Sequence, residues 1–292
     1  MSEAASGSNP YRQTAQRALW GLESQVEWGE LLFRRPNVPQ APSLRILVMD
    51  RPYPQIRPNM NALIDGGLSV GFPVRDMAAL IEYADRHGFK TTNGITHLAM
   101  KRADGSPYEA LECHFRAPDS VYGLGVGRPA DLAPVGPIPH DQNVGGPAYA
   151  GQVANHADKT LAFYTQVLGW MVRRDVTLNS SGPAGGLGLK AGTQMRFIQI
   201  FEPTSTTAYA IFLDFADMGL PSPVQSRPPN LGTTIWTFQV NELAEAERRA
   251  KTIGHLPVSE AQIVDDTDLG KCRGLSFVTA NGFMVELLQT IT

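Results

Sequence analysis

Apolar and polar positions along this chain fall into blocks of two periods, and the blocks recur in a fixed order. Residues 158–169 carry Leu161, Tyr164 and Leu168 at helical spacing, widened by Phe163 and Val167, with Asp158 able to cap the first turn and Gly169 as the stop. A strand-like run at 149–153 precedes this helix, and runs at 172–178, 195–201 and 209–215 follow it. The unit is therefore strand–helix–strand–strand–strand. It recurs at 233–289: Ile235, Thr237 and Gln239 alternate with Trp236, Phe238 and Val240, and a helix follows over 242–253. Strands at 257–264, 275–279 and 283–289 complete that unit, the last two joined by Asn281-Gly282, a strong hairpin cue.

An earlier copy reads as a strand at 68–72, a helix over 75–88 and strands at 95–100, 108–115 and 121–126, with Ala103-Asp-Gly105 as a turn. Glycines 88, 169 and 254 end the three helices, so the units repeat about every eighty residues, too long and too mixed for a solenoid. In front lies a poorer copy: a helix over 11–22, a strand at 26–33 and a strand at 44–49 apolar enough to be central, with no clear leading strand. Residues 1–10 read as a disordered lead. The Pro- and Gly-rich stretch 129–147 reads as the linker between an N-terminal domain, 11–128, and a C-terminal domain, 148–292; residues 221–229 read as a second linker. The predicted fold class is α+β: four βαβββ modules paired into two domains, with curved mixed sheets forming cups and the helices outside.

Composition narrows the function classes. At 292 residues the chain can bury two sizeable cores. A net charge of −3 argues against a broad nucleic-acid surface. No apolar run reaches the ~20 residues that span a bilayer, and the start has no basic end or apolar centre of a secretory signal. With only Cys113 and Cys272, a disulfide framework or thiolate zinc site is not expected. The expectation is a cytoplasmic protein that handles a small molecule, binds neither nucleic acid nor membrane, and can form a homo-oligomer. The glycine-rich loop 182–192 lacks a phosphate-binding arrangement and reads as a lid or hairpin loop; GxSxG, HExxH and CxxC are absent.

The run Asp158-Lys-Thr-Leu-Ala-Phe-Tyr-Thr-Gln-Val-Leu-Gly-Trp170 resembles the helix of the vicinal oxygen chelate superfamily, whose unit is βαβββ. Asn281-Gly-Phe-Met-Val-Glu-Leu287 is similar to that superfamily's last strand. Members include glyoxalases, epimerases, bleomycin-binding proteins and extradiol dioxygenases, and four units most resemble the two-domain dioxygenases. The resemblance is carried by the third and fourth units and is weaker in the first two. It implies cups in which two histidines and a carboxylate hold a divalent metal that chelates vicinal substrate oxygens.

The ligand positions depart from that pattern. By the family's spacing, Tyr149 and Ile235 stand where histidines are called for, Glu286 keeps the carboxylate, and Asp214 takes the matching place in the third unit. His156 and His255 fall at strand–helix junctions. No metal is therefore expected, the alternative being one divalent transition metal at Glu286. Alternation puts Glu286 on one face with Met284 and Leu288, where a carboxylate is costly to bury unless paired or protonated, and that suits a general acid or base. Asp214 can orient or stabilise charge in the cup, or pair with a cation such as Arg196. Tyr149 can do likewise or fill space. Ile235, Thr237, Gln239, Phe212 and Met284 are the candidate substrate contacts. In the second unit Glu112 and His114 share a face, with His97 across the hairpin; this reads first as a solvated hairpin face, with a metal or proton relay as the alternative. The expected function is a metal-independent lyase or isomerase acting on a small apolar or aromatic oxygenated molecule in the C-terminal cup. The alternatives are ligand sequestration, or an extradiol-type dioxygenase with a non-standard metal site.

Overall fold

The computed structural model describes residues 2–6, 10–34, 42–102, 104–180, 186–205 and 209–291. The first module comprises β1 (Ser2–Ser6), α1 (Pro10–Leu19), β2 (Trp28–Arg34) and β3 (Leu44–Met49). The second comprises β4 (Gly66–Pro73), α2 (Met77–Arg86), β5 (Thr91–Lys101), β6 (Pro107–Arg116) and β7 (Tyr122–Gly127). The third has β8 (Tyr149–Val153), α3 (Ala157–Ala162) running into a π turn (Phe163–Val167), β9 (Met171–Asn179), β10 (Gln194–Phe201) and β11 (Tyr209–Asp214). The fourth has β12 (Ile235–Gln239), α4 (Leu243–Thr252), β13 (Gln262–Asp266), β14 (Gly270–Val278) and β15 (Met284–Thr290). The α+β class and the βαβββ units are as the periodicities predict.

The sheets pair the modules differently from the chain order. Modules two and three share one eight-stranded sheet in the order β5-β6-β7-β4-β8-β11-β10-β9. At its centre β4 and β8 run antiparallel, each flanked by the parallel last strand of its own module, β7 or β11. The Pro- and Gly-rich stretch at 129–147 thus joins two strands of one sheet and does not separate domains. The four-stranded sheet of module four, β12-β15-β14-β13, stands apart and is covered by α1 and the three-stranded sheet β1-β2-β3. The leading residues are part of that cover, since β1 pairs with β2. Strand β3, expected to be central, is an edge, with Ile46 and Val48 facing solvent.

Two layers of core follow from strand alternation. On β11, Ala210 and Phe212 face α3, whereas Tyr209, Ile211 and Leu213 face the cup. On β6, Leu111, Cys113 and Phe115 pack against Met77 and Leu80 of α2, which turns Glu112 and His114 into the cup. Helices α3 and α4 meet in the largest core, which bridges the helix faces of modules three and four. A buried polar chain crosses the same boundary: Gln152 Nε2 donates to the Tyr164 hydroxyl (2.9 Å), and Asn281 Nδ2 donates to Gln152 Oε1 (2.9 Å) and to the Val153 carbonyl (2.9 Å). Each partner has its bonds met, so the chain fixes register at little cost. No helix among the described residues is long and apolar enough to cross a membrane.

Candidate functional site

The molecule offers two cups, an inner one made by modules two and three and a terminal one made by modules one and four. In the terminal cup Glu286 sits on β15 facing away from α4 and towards the end of α1, and is 1% exposed. Both of its oxygens are taken. Trp20 Nε1 donates to Oε1 at 2.8 Å; Thr237 Oγ1 at 2.7 Å and Arg45 Nη2 at 3.1 Å donate to Oε2. Arg45 also lies 3.5 Å from Asp266. Burial works against the charge on Arg45, but Glu286, then Asp266 and Glu30, more than offset it and hold the guanidinium protonated. Module one thus plugs this cup with a cation and an indole, leaving a cleft of about 760 Å³ at its edge that Glu30, Arg45, Trp170, Thr237, Gln239 and Asp266 help to line.

The candidate residues divide accordingly. Thr237 and Gln239 border that cleft, while Ile235 and Met284 pack under Leu19 and Trp20 as apolar floor. Phe212, expected in the cup, lies in the helix-side core against Tyr164 and Trp236, because its parity on β11 is that of Ala210. Asp214 shares that parity and also stays out of the cup. Its carboxylate accepts from the backbone N–H groups of Ala157 (3.0 Å), His156 (3.3 Å) and Ala216 (2.8 Å), so it clamps the start of α3 from the end of β11. This is the cap expected of Asp158, which instead is exposed and bound to Arg196 (2.9 Å), itself paired with Asp175 (2.7 Å). Tyr149 belongs to the inner cup. Tyr149, Asp214 and Glu286 therefore do not form one site.

The inner cup brings Tyr149 to the residues of module two instead. Across the floor, neighbouring strands carry His114, Leu124, Gly71, Tyr149 and Tyr209 in register. A Cβ on Gly71 would lie 2.1 Å from the Tyr149 ring, so that glycine lets the phenol lie across β4 towards module two. Tyr149 stacks on Tyr209 with centroids 4.9 Å apart and planes at 5°. Its hydroxyl is buried and among the described residues has no hydrogen-bond partner; the same holds for His114 Nδ1, Thr96 Oγ1 and Ser69 Oγ. Glu112, 23% exposed, has its Oε2 at 4.0 Å from His114 Nε2. Burial pushes the Glu112 carboxyl up to about 7 and the His114 imidazolium down to about 4. Burial, then the charges of Glu112 and Tyr209, raise the Tyr149 phenol well above its ordinary value. His97 takes no part: it pairs with Glu109 on the exposed side of the hairpin at 2.9 Å. The described part of the glycine-rich loop, residues 186–192, packs against the cup. A Cβ on Gly186 would fall 1.8 Å from His114 Nδ1, and Leu187 and Leu189 pack into the cup's core; residues 182–185 of that loop lie outside the described residues.

The metal implied by the family resemblance does not fit these donors. In the inner cup the first and last strands present Ser69, Gly71, Tyr122, Leu124, Tyr149, Gly151, Tyr209, Ile211 and Leu213, mostly without metal-binding atoms. In the terminal cup Glu286 holds a guanidinium at 3.1 Å, which repels a second cation. Among the described residues no cluster of three or more His, Cys, Asp or Glu side chains is placed to hold an ion. Sequence reasoning missed Arg45 and Trp20, which lie in the module that is hardest to read. It saw Glu112 and His114 but read them as solvated, since the alternation of β6 does not say whether its polar face meets water or a second module.

No protein-family model matches the chain, and no curated protein matches it. Solved structures do. Glyoxalase I from Zea mays superposes over 96% of this chain and 88% of its own, with a TM-score of 0.55 at 11% identity. A variant of the same maize enzyme gives 0.57 at 12% identity, covering 96% and 90%. A provisionally assigned dioxygenase from Bacillus subtilis subsp. subtilis str. 168 gives 0.51 at 10% identity, covering 96% and 82%. The chain shares its fold with these structures.

Proposed function

We propose that this protein is a metal-independent acid–base enzyme of the lyase or isomerase class, acting on a small oxygenated molecule with an apolar or aromatic body in the inner cup. The observation that carries this reading is the convergence, in one apolar cup, of a carboxyl group that among the described residues is held only by a histidine at 4.0 Å with a buried phenol that among them has no partner. Glu112 titrates close to neutrality, the poise of an effective general base or acid. It takes a proton from a carbon beside a carbonyl; the C–H pair becomes a C=C bond and the carbonyl π pair moves onto oxygen. The Tyr149 hydroxyl, which stays protonated, donates to the oxyanion that forms. With a hydroxyl on the deprotonated carbon, return of the proton to the former carbonyl carbon gives isomerisation; loss of a leaving group from the β-carbon as the carbonyl re-forms gives elimination. His114, neutral and under Gly186, positions the carboxyl group.

The test is deuterium exchange from water into a panel of small apolar and aromatic carbonyl compounds, followed by NMR. Exchange should rise with pH through about 7 and fall ~10²–10⁴-fold in Glu112→Gln. Undiminished exchange in that variant removes Glu112 from the chemistry. A second reading, sequestration without turnover, draws on the cleft of about 760 Å³ bordered by Trp170 and Gln239; ligands that bind there without exchange favour it.

A further inference from the structure

The inner cup has a rim as distinctive as its floor. Strands β5 and β9 are the two outer edges of the eight-stranded sheet, yet they come together over the cup. Arg174 of β9 reaches across to β5, where its guanidinium donates to the Met100 sulfur at 3.6 Å. A thioether is a weak acceptor. Arg174 is half-buried, and among the described residues no carboxylate pairs with it. Next to Met100 stands Lys101, and Lys101, Arg102, Tyr108, Arg128, Asp104 and Leu132 line a cleft of about 390 Å³ at the end of β5 and β7. Arg102 is committed to Asp131 at 2.6 Å, and Arg128 gives one bond to the Ala133 carbonyl at 3.1 Å, leaving most of its donors unused. Two cations, Arg128 and Arg174, therefore act on one phenol, Tyr209, and among the described residues neither has a carboxylate partner.

That positive rim is continuous with the site inside. Arg128 acts electrostatically on both Tyr149 and Tyr209, and Arg174 acts on Tyr209. The stacked phenols thus feel the rim guanidinium groups on one hand and the Glu112 carboxyl group on the other. Such a set suits a flat molecule with an anionic group at one end, since guanidinium pairs bind carboxylates through parallel N–H···O bonds and the tyrosines accept a ring or planar chain against their faces.

We infer that the inner cup takes a small carboxylate-bearing ligand, with Arg174 and Arg128 holding the carboxylate at the rim and the apolar or aromatic body lying on Tyr149 and Tyr209. This names the substrate class of the acid–base site and rests on that reading for its catalytic meaning. The rim's affinity for the anion can be measured without any turnover. A carboxylate fixed at the rim would orient the far end of the molecule towards Glu112, which is what binding energy remote from the reacting atoms contributes.

Benzoate and its neutral counterpart benzamide serve as probes in calorimetric titrations of the full chain. Benzoate should bind at least ~10-fold more tightly than benzamide. Arg174→Gln and Arg128→Gln should each remove most of that preference while leaving benzamide binding in place, and Arg174→Lys should restore part of it, because the charge returns without the planar fork. Unchanged thermal midpoints in these variants separate lost binding from lost fold. Equal affinities for the two probes, no benzoate binding at millimolar concentration, or a benzoate affinity indifferent to Arg174→Gln would overturn the inference. Glu112→Gln distinguishes this from a failure of the acid–base reading. It should not weaken benzoate, so a preference that persists while deuterium exchange is unaffected by that variant upholds the rim and rejects the proton-transfer assignment.

Discussion

Two cups in one chain place a carboxylate on an apolar floor, and they resolve the cost of burying it in opposite ways. Glu286 in the terminal cup has donors from an indole, a hydroxyl and a guanidinium, each within 3.1 Å. Glu112 in the inner cup has, among the described residues, a single histidine at 4.0 Å and is pushed up to about 7. The first arrangement turns a buried charge into a fastening between modules one and four. The second leaves a carboxyl group ready to exchange a proton. Where the sequence resemblance implies a metal, one cup holds an internal cation and the other holds phenols and small residues. Fold identity says little about chemistry until the groups around each carboxylate are known.

The comparison can be broken most forcefully at Arg45. Arg45→Met removes the guanidinium from a nearly inaccessible Glu286. It should cost ~3–5 kcal/mol, since an uncompensated buried charge remains, and urea denaturation measures it. The double variant Arg45→Met with Glu286→Met should recover most of that loss, because an apolar pair can replace a buried ion pair. A double variant as unstable as the single one would show that the pair does more than neutralise charge.

Glu112 should behave in the reverse sense. Its folded value lies above the ordinary 4.5, at about 7. Its contribution is therefore fully present below 4.5 and lost as pH rises through 7. Glu112→Gln should gain stability over the parent on going from pH 4 to pH 8, by at most roughly 3 kcal/mol. His114 carries the opposite sign: its value falls from 6.5 to about 4, so its contribution is present above 6.5 and lost as pH falls through 4. His114→Gln should accordingly gain on the parent towards pH 4. The two slopes oppose each other between 4.5 and 6.5, and the thermal midpoints of the single variants at several pH values separate them. Equal pH dependence in parent and Glu112→Gln would mean that the carboxyl group is better solvated than its surroundings indicate.

The smallest expected effect tests how the phenol is held. A methyl group on Gly71 would meet the Tyr149 ring at 2.1 Å. Gly71→Ala should cost ~1–3 kcal/mol as the ring is displaced, and adding Tyr149→Leu should relieve much of that cost. Absence of relief would place the strain in β4 itself.

Much of this molecule is legible from periodicity, because the forces that set it are local. The 3.6-residue stripe of Leu161, Tyr164 and Leu168, the alternation of Met284, Glu286 and Leu288 against Val285 and Leu287, and the Asn281-Gly282 turn all depend on residues close in sequence. They suffice to define three βαβββ units and the faces of β12 and β15. Family spacing puts Asp214 in the cup, and Phe212 reads as a substrate contact, but neither lies there. Alternation from Ile211, which does face the cup, places both on the helix side.

What only the tertiary structure decided is which module meets which. Every βαβββ unit exposes the edge of its first strand, and nothing local distinguishes a partner eighty residues on from one two hundred residues away. The pairing of β4 with β8, and of module one with module four, decides everything about the site. It sends Tyr149 to Glu112 and not to Glu286, converts a polar hairpin face into the lining of a cup, and places Arg45 on a carboxylate 241 residues away. Burial and partnering are properties of that assembly, and they determine whether a carboxyl group fastens the fold or moves a proton.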